Sequence, residues 1–226
     1  MAATGHSTVA AIVVAAGSGQ RLGADVPKAF VEVAGRTILE HAVDRLGAHP
    51  RVGSVVVAAP AQMCARATQL VASATVVAGG ATRQQSVAAA LAAVPADVEL
   101  VLVHDAARAF VPVEVIDRVL GALGAGADAV VPTLPVSDTI RTVDLASGEL
   151  GALVDRSGLL AMQTPQGFRR EVLAKAHALA PGADATDDAA LVEALGLQVI
   201  AVRGDERAFK ITVGVDLALA EALARG

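Results

Sequence analysis

Apolar residues in this 226-residue chain follow two rhythms. Unbroken blocks at 9–14, 55–59, 75–77, 100–104 and 129–131 have the length and the valine and leucine content of strands buried on both faces. Between them, at 37–46, 61–71, from a glycine turn at 79–80 to about 93, and at 112–123, apolar residues recur at helical spacing. The first of these helices carries Thr37 as N-cap with Glu40 three residues on, a pairing that satisfies two amides at a helix start. Strand and helix alternate, and strands that are apolar throughout have no polar face to give to water. The pattern predicts an α/β fold in a single domain, a Rossmann-like, mostly parallel sheet with helices on both faces.

The rhythm breaks between 132 and 163. Pro132, Pro135 and Gly148 punctuate an alternating stretch at 139–143, which reads as a protruding antiparallel β-arm suited to pairing with a second subunit in a homodimer. Beyond it the pattern predicts helices at 169–179 and 186–195, the second with Thr186 as cap and Asp187 and Asp188 at its positive end. Strands at 198–202 and 209–212 and a helix at 215–224 follow.

Composition narrows the function. The chain is 54% hydrophobic, yet no apolar run reaches the roughly 18 residues of a membrane span. The first seven residues lack a basic stretch leading into an apolar one, so the expectation is a soluble, cytoplasmic protein without a secretory signal. A single cysteine, Cys64, excludes an internal disulfide and a multi-cysteine zinc site and reads as a small buried helix residue. The net charge of −5 argues against a nucleic-acid polymer as partner. With no Trp or Tyr and only four Phe, stacking on a base is poorly supplied, and the backbone is left to read one.

Candidate chemistry begins where the first strand ends, at A-A-G-S-G-Q-R-L-G-A-D-V-P-K, residues 15–28. Gly17 and Gly19 let the backbone approach a phosphate, and Arg21 and Lys28 add two positive charges. A dinucleotide fingerprint fails here, because Leu22 stands where its third glycine belongs. A P-loop fails too, for no glycine is followed by lysine at the required offset. What remains looks like the loop of nucleotidyltransferases that join a nucleoside triphosphate to a sugar or polyol phosphate.

A second glycine turn at 79–80 and the end of the 100–104 strand should reach the same crevice, since loops at the carboxyl ends of parallel strands converge. The strand delivers Asp105, placed to hold Mg²⁺, a hard cation that prefers oxygen ligands and substrate phosphates. His104 precedes it and should point to the opposite face, as a core histidine or one that supports the site from behind, and not as a ligand.

Seven motifs in order carry a resemblance: A-A-G-S-G-Q-R-L-G with P-K at 15–28, G-G-x-x-R-x-x-S-V at 79–87, V-H-D-A-A-R at 103–108, P-V-S-D-T at 135–139, V-D-R at 154–156, T-P-Q at 164–166 and F-K-I-T at 209–212. Over residues 9–220 or so the chain resembles the 2-C-methyl-D-erythritol 4-phosphate cytidylyltransferases of the non-mevalonate isoprenoid pathway. The resemblance implies transfer of CMP from CTP to methylerythritol 4-phosphate with release of pyrophosphate. Carried onto this sequence, it places Arg21, Lys28 and Lys210 around the triphosphate as catalytic cations and Asp105 on Mg²⁺. Ala15, Ala16, Gly17, Gly19, Gly80, Arg83, Ser86 and Ala106 would line the nucleotide. Arg108, Thr139, Arg156 and Lys210 would grip the second substrate, some of them across the dimer. The family commonly has proline after D-A-A-R; Ala109 stands there, which implies a less restricted loop around Arg108. Two rival functions are a cytidylyltransferase for ribitol 5-phosphate and a nucleotide sensor without catalysis.

Overall fold

The computed structural model describes residues 8–17, 26–179 and 187–225. In chain order β1 (Val9–Val14) is followed by a small hairpin of β2 (Glu32–Val33) and β3 (Arg36–Thr37), α1 (Ile38–Gly47), β4 (Val52–Ala59), α2 (Cys64–Leu70) and β5 (Thr75–Ala78). Then come α3 (Arg83–Ala92), β6 (Leu100–Asp105), α4 (Val113–Gly124), β7 (Ala129–Pro135), β8 (Ile140–Val143) and β9 (Leu150–Val154). The order ends with β10 (Leu160–Met162), β11 (Gln166–Arg169), α5 (Arg170–Leu179), α6 (Asp188–Glu193), β12 (Val199–Arg203) and α7 (Gly214–Arg225).

The main sheet runs β10-β7-β11-β6-β1-β4-β5, and β12 also pairs with β7. Strands β1, β4, β5 and β6 pair in parallel, while β11 lies antiparallel between β6 and β7. Alternate residues of β1 feed two cores. Val9, Ala11 and Val13 pack with Leu39 and Leu46 of α1 and Ile116 and Leu120 of α4. Ala10 and Ile12 pack with Val87 of α3, Leu173 of α5 and Val192 of α6. Helices therefore cover both faces, as buried strands require. Thr37 caps α1 in a capping box with Glu40, as its spacing predicts.

Several expectations need correction. The segment at 132–163 is not set off as a whole: β7 extends to Pro135, and β10 pairs with it inside the main sheet. Proline lacks only the donor, and the Pro132 carbonyl still accepts from the Gln163 N–H at 2.8 Å. What stands apart is the two-stranded sheet of β8 and β9, with Ile140 opposite Val154 at its base. Residues 61–71 begin with a 3₁₀ turn, Ala61–Met63, before α2 starts at Cys64, which is half-buried. The cap of α6 is Asp187, which accepts from the Ala190 N–H, and Thr186 lies outside the described residues.

No strand forms at 209–212. Asp205 caps a 3₁₀ turn, Glu206–Ala208, and the Asp216 carboxylate accepts from the N–H groups of Thr212 and Val213. Side chains thus satisfy amides that a strand would give to a neighbour. One backbone bond, Ile211 N–H to the Ala107 carbonyl at 2.8 Å, ties this extended segment to the loop after β6.

Candidate active site

Register brings the carboxyl ends of three strands level: Val14 lies opposite Ala58 of β4 and Asp105 of β6. Backbone bonds just beyond them continue the alignment. The Ala15 N–H donates to the Ala58 carbonyl, that of Gly79 to Ala59, and that of Ala106 to Val14. The loops that follow enclose a cleft of about 430 Å³. Ala15, Ala16, Gly17, Lys28, Gly80, Arg83, Ser86, Asp105, Ala106 and Lys210 all line it, so most of the residues selected from sequence meet in one place. Arg21 and Gly19 lie outside the described residues.

The second glycine turn is tightly built. A Cβ on Gly79 would stand 2.9 Å from both the Ala16 Cβ and the Ser86 Oγ, so only glycine lets the two loops close on each other. The amides that follow are already used. Gly80 N–H donates to Ser86 Oγ, and those of Ala81 and Thr82 donate to Gln85 Oε1, while the Ser86 hydroxyl donates to the Thr82 carbonyl. The turn shapes the wall of the cleft and Ser86 acts as its pin, which is a different task from offering free amides to a phosphate.

Lys28 sits in a 3₁₀ turn, Lys28–Phe30, whose Phe30 is buried in the core under the Arg66 guanidinium, 5.8 Å from the ring centroid. That anchor leaves Lys28 at the cleft. Asp105 joins two further cations there: Lys210 Nζ at 2.8 Å on Oδ2 and Arg83 Nε at 3.3 Å on Oδ1. Burial alone would push this carboxyl up, but Arg83 and Lys210, with a lesser contribution from Arg108, hold it well below the usual carboxylate range. Burial likewise works against the Arg83 charge, and Asp188 and Asp105 together overcome it. Among the described lining residues, three cations accompany one carboxylate, a surplus suited to a polyphosphate.

The loop after β6 is fastened from beneath. Asp105 N–H donates to Thr164 Oγ1 at 3.1 Å; that hydroxyl lies 3.0 Å from His104 Nδ1, and His104 Nε2 lies 3.2 Å from the Arg108 carbonyl. A neutral imidazole that accepts at Nδ1 and donates at Nε2 satisfies the chain. Burial of His104 pushes its pKa down to about 4, with Asp105 opposing and Arg108 adding to the fall. A histidine depressed in the fold binds its proton more readily when unfolded. Its stabilising effect is complete above the ordinary histidine value near 6.5 and is lost as pH falls toward 4, by about 3 kcal/mol. Urea unfolding at pH 7 and pH 4.5 should reveal this loss, and His104→Gln should flatten it; equal stability at both pH values would refute the assignment. Asp105 acts in a separate window, below the ordinary carboxylate range.

Three residues selected from sequence do not line the cleft. Arg108 points its guanidinium at backbone, donating to the carbonyls of Ala208 at 2.8 Å and Met162 at 3.0 Å. Thr139 and Arg156 are exposed and flank the base of the β8–β9 hairpin. Sequence reasoning also missed a partner. Asp188, read there only as a charge at a helix start, bonds to Arg83 Nη1 at 2.6 Å and to His177 Nε2 at 2.9 Å. The doubled acid at 187–188 held the signal, since a cap needs only the first.

Comparison with known proteins agrees with this geometry. Residues 9–225 match the family model described as 2-C-methyl-D-erythritol 4-phosphate cytidylyltransferase (IspD). A protein of that name from Rhodococcus jostii is 50% identical over 222 residues, spanning 98% of this chain and 97% of its own. One from Frankia casuarinae is 50% identical over 216 residues, covering 95% and 80%. The crystal structure of the Thermus thermophilus protein of the same name superposes with a TM-score of 0.79 at 42% identity, covering 95% of this chain and 98% of that one.

Proposed function

The chain belongs to the 2-C-methyl-D-erythritol 4-phosphate cytidylyltransferase family, and from that premise we propose how its cleft carries out the reaction. The protein transfers CMP from CTP to 2-C-methyl-D-erythritol 4-phosphate, giving 4-diphosphocytidyl-2-C-methyl-D-erythritol and pyrophosphate, in isoprenoid precursor biosynthesis. The observation that carries the site assignment is the meeting of Lys28, Arg83, Asp105 and Lys210 beside the loop 15–17.

An oxygen of the polyol phosphate attacks the α-phosphorus of CTP, the new P–O bond forms, and the bond to the β-phosphate oxygen breaks. The nucleophile is already an anion at neutral pH, so no side chain has to remove a proton. The barrier comes from bringing two anions together and from charge that builds on the phosphoryl oxygens. Lys28 and Lys210 meet that charge with cations from the cleft, Arg83 holds the triphosphate, and the resemblance gives Arg21, of the same loop, a share in the catalytic charge. Ala15, Ala16, Gly17, Gly80 and Ala106 leave room for the cytidine, with Gly19 belonging to the same loop and Ser86 holding the wall in place.

Mg²⁺ fits this donor set. The described residues contain no cluster of three or more His, Cys, Asp or Glu, as a cage made wholly of protein would need. Mg²⁺ is commonly held by one or two carboxylates plus substrate phosphates, and Asp105 offers an ionised carboxylate once Lys210 turns from it to the triphosphate. When bound, the ion neutralises charge on the phosphates.

Of the four residues that the resemblance assigns to the second substrate, only Lys210 is among the described residues that line the cleft. Thr139 and Arg156 lie at the hairpin base, and Val143, Leu150 and Leu153 leave apolar surface uncovered on the hairpin. A homodimer that covers this surface and carries Thr139 and Arg156 to the neighbouring cleft accounts for both facts. Arg108 would act there as a brace, or turn from its carbonyls to the substrate. No helix among the described residues is long and apolar enough to cross a membrane. A cytoplasmic address fits a nucleotide-dependent enzyme whose one cysteine, Cys64, is free.

The test is pyrophosphate release with CTP and Mg²⁺, comparing methylerythritol 4-phosphate with ribitol 5-phosphate. Release with the first and little with the second is expected. Release only with ribitol 5-phosphate would keep the triphosphate site and overturn the substrate; CTP binding without release from either would indicate a sensor.

A further inference from the structure

Behind the cleft lies a pair of residues that the reaction as described does not use. The carboxylate of Asp188, at the start of α6, is fully buried. Its Oδ2 accepts from Arg83 Nη1 at 2.6 Å and its Oδ1 from His177 Nε2 at 2.9 Å. A buried carboxylate is tolerated only when its oxygens are paired, so this geometry constrains both donors. Asp188 is also spared from capping its own helix, because Asp187 accepts from the Ala190 N–H and from Gln166 Nε2. His177 projects from the last turn of α5 and is itself buried, which fixes the far side of the carboxylate.

Arg83 has a second carboxylate partner, and it is a shared one. Asp105 binds Arg83 Nε through one oxygen and Lys210 through the other. If Asp105 turns to a cation and Lys210 to a phosphate, that partnership loosens during each turnover. The bond to Asp188 has no such competitor, for Asp188 does not line the cleft. Two of the five guanidinium donors are engaged by these carboxylates while the side chain still borders the cleft.

We propose that Asp188, oriented by His177, is the standing anchor of Arg83. Both are positioning residues that hold the guanidinium toward the triphosphate while Asp105 exchanges partners. The proposal rests on the reading of the cleft as the CTP site. It extends that site by two residues from helices behind Arg83, neither of which touches substrate.

The experiment is a double-mutant cycle on CTP binding in the presence of Mg²⁺, by calorimetry, with kcat and KM measured on the same proteins. Asp188→Asn should weaken CTP binding about tenfold, and in an Arg83→Ala background by less than about twofold, because the anchored group is then gone. KM for CTP should rise more than kcat falls. His177→Phe should reproduce part of the loss, and His177→Gln should restore it, since its amide nitrogen can donate as the imidazole Nε2 does. An equal penalty from Asp188→Asn with and without Arg83, or identical behaviour of the two His177 variants, would overturn the proposal. If Asp188→Asn does not fold, the two His177 variants in both Arg83 backgrounds decide it alone. A wild-type protein that neither binds CTP nor releases pyrophosphate would remove the cytidylyltransferase reading, and this proposal with it.

Discussion

Replacing Lys210 by alanine should lower turnover about 10²–10³-fold, the loss seen when one donor to a developing oxyanion is removed. The fold should hardly notice. The Lys210 side chain is 44% exposed, and its partner Asp105 keeps the Arg83 guanidinium when the ammonium is gone. Only the lysine end of this pair is well exposed, but the buried Asp105 carboxylate still keeps a cation, so the melting temperature should move only modestly. The contrast between the two readouts is the informative result. Single-turnover pyrophosphate release, set beside thermal unfolding of the same protein, separates a catalytic cation from a surface charge. Near-normal turnover in the variant would remove Lys210 from the mechanism.

The second large effect is expected from the hairpin. Leu150 and Leu153 are 64% and 68% exposed, although both belong to a strand of this fold. Leu153 lies opposite Arg141 and Leu150 opposite Val143, so their own hairpin pairs with them without covering them. If a second copy covers these side chains, Leu150→Asp with Leu153→Asp places two charges in an apolar contact and should turn a dimer into a monomer. Because Thr139 and Arg156 sit at the base of the same hairpin, the monomer should also lose its hold on the polyol phosphate. We expect kcat/KM for that substrate to fall about 100-fold, with CTP binding to the free protein nearly unchanged. Sedimentation velocity and nucleotide titration on both proteins measure this. A wild-type protein that sediments as a monomer, or a double variant that keeps its kcat/KM, would end the dimer reading.

What was legible in the sequence was whatever depends on near neighbours in the chain. The apolar block of β1, the cap at Thr37 and the glycine turn before α3 are local patterns with local causes. Asp105 could be placed in the cleft because a strand's end fixes where its next residue goes. The short antiparallel strands β10 and β11 were not visible, since three or four residues carry no period and their partners lie far away in the chain. Lys210 reaches the cleft, but not on the strand its apolar neighbours suggest. Its segment is extended, and only the side chains of Asp205 and Asp216 decide that it joins no ladder. Arg108 shows another limit. A charged residue beside a candidate site reads as a ligand contact, whereas here the carbonyls of Ala208 and of Met162 in β10, both far off in the chain, each take one donor of its guanidinium. Ala109, which should have loosened that loop, is buried beside Phe110 in a third small core, and packing supplies the restraint that a proline ring would have given.

The place of β11 in the sheet has a consequence for how the enzyme comes into being. β6 and β7 follow one another in the chain but are not neighbours, and the slot between them is filled by the four residues Gln166–Arg169. The glycine in that slot is needed as well, because a Cβ on Gly167 would strike Val119 and Leu123 of α4. Strands β1, β4, β5 and β6 can pair with one another as they are made, whereas β7, β10 and β12 have no route to them until this keystone is seated. Asp105 lies at the end of the first half, and Lys210 follows the last strand of the second. The first half carries every described lining residue of the cleft except Lys210, so a half-built molecule has the wall of the site and lacks that ammonium until the seam is closed.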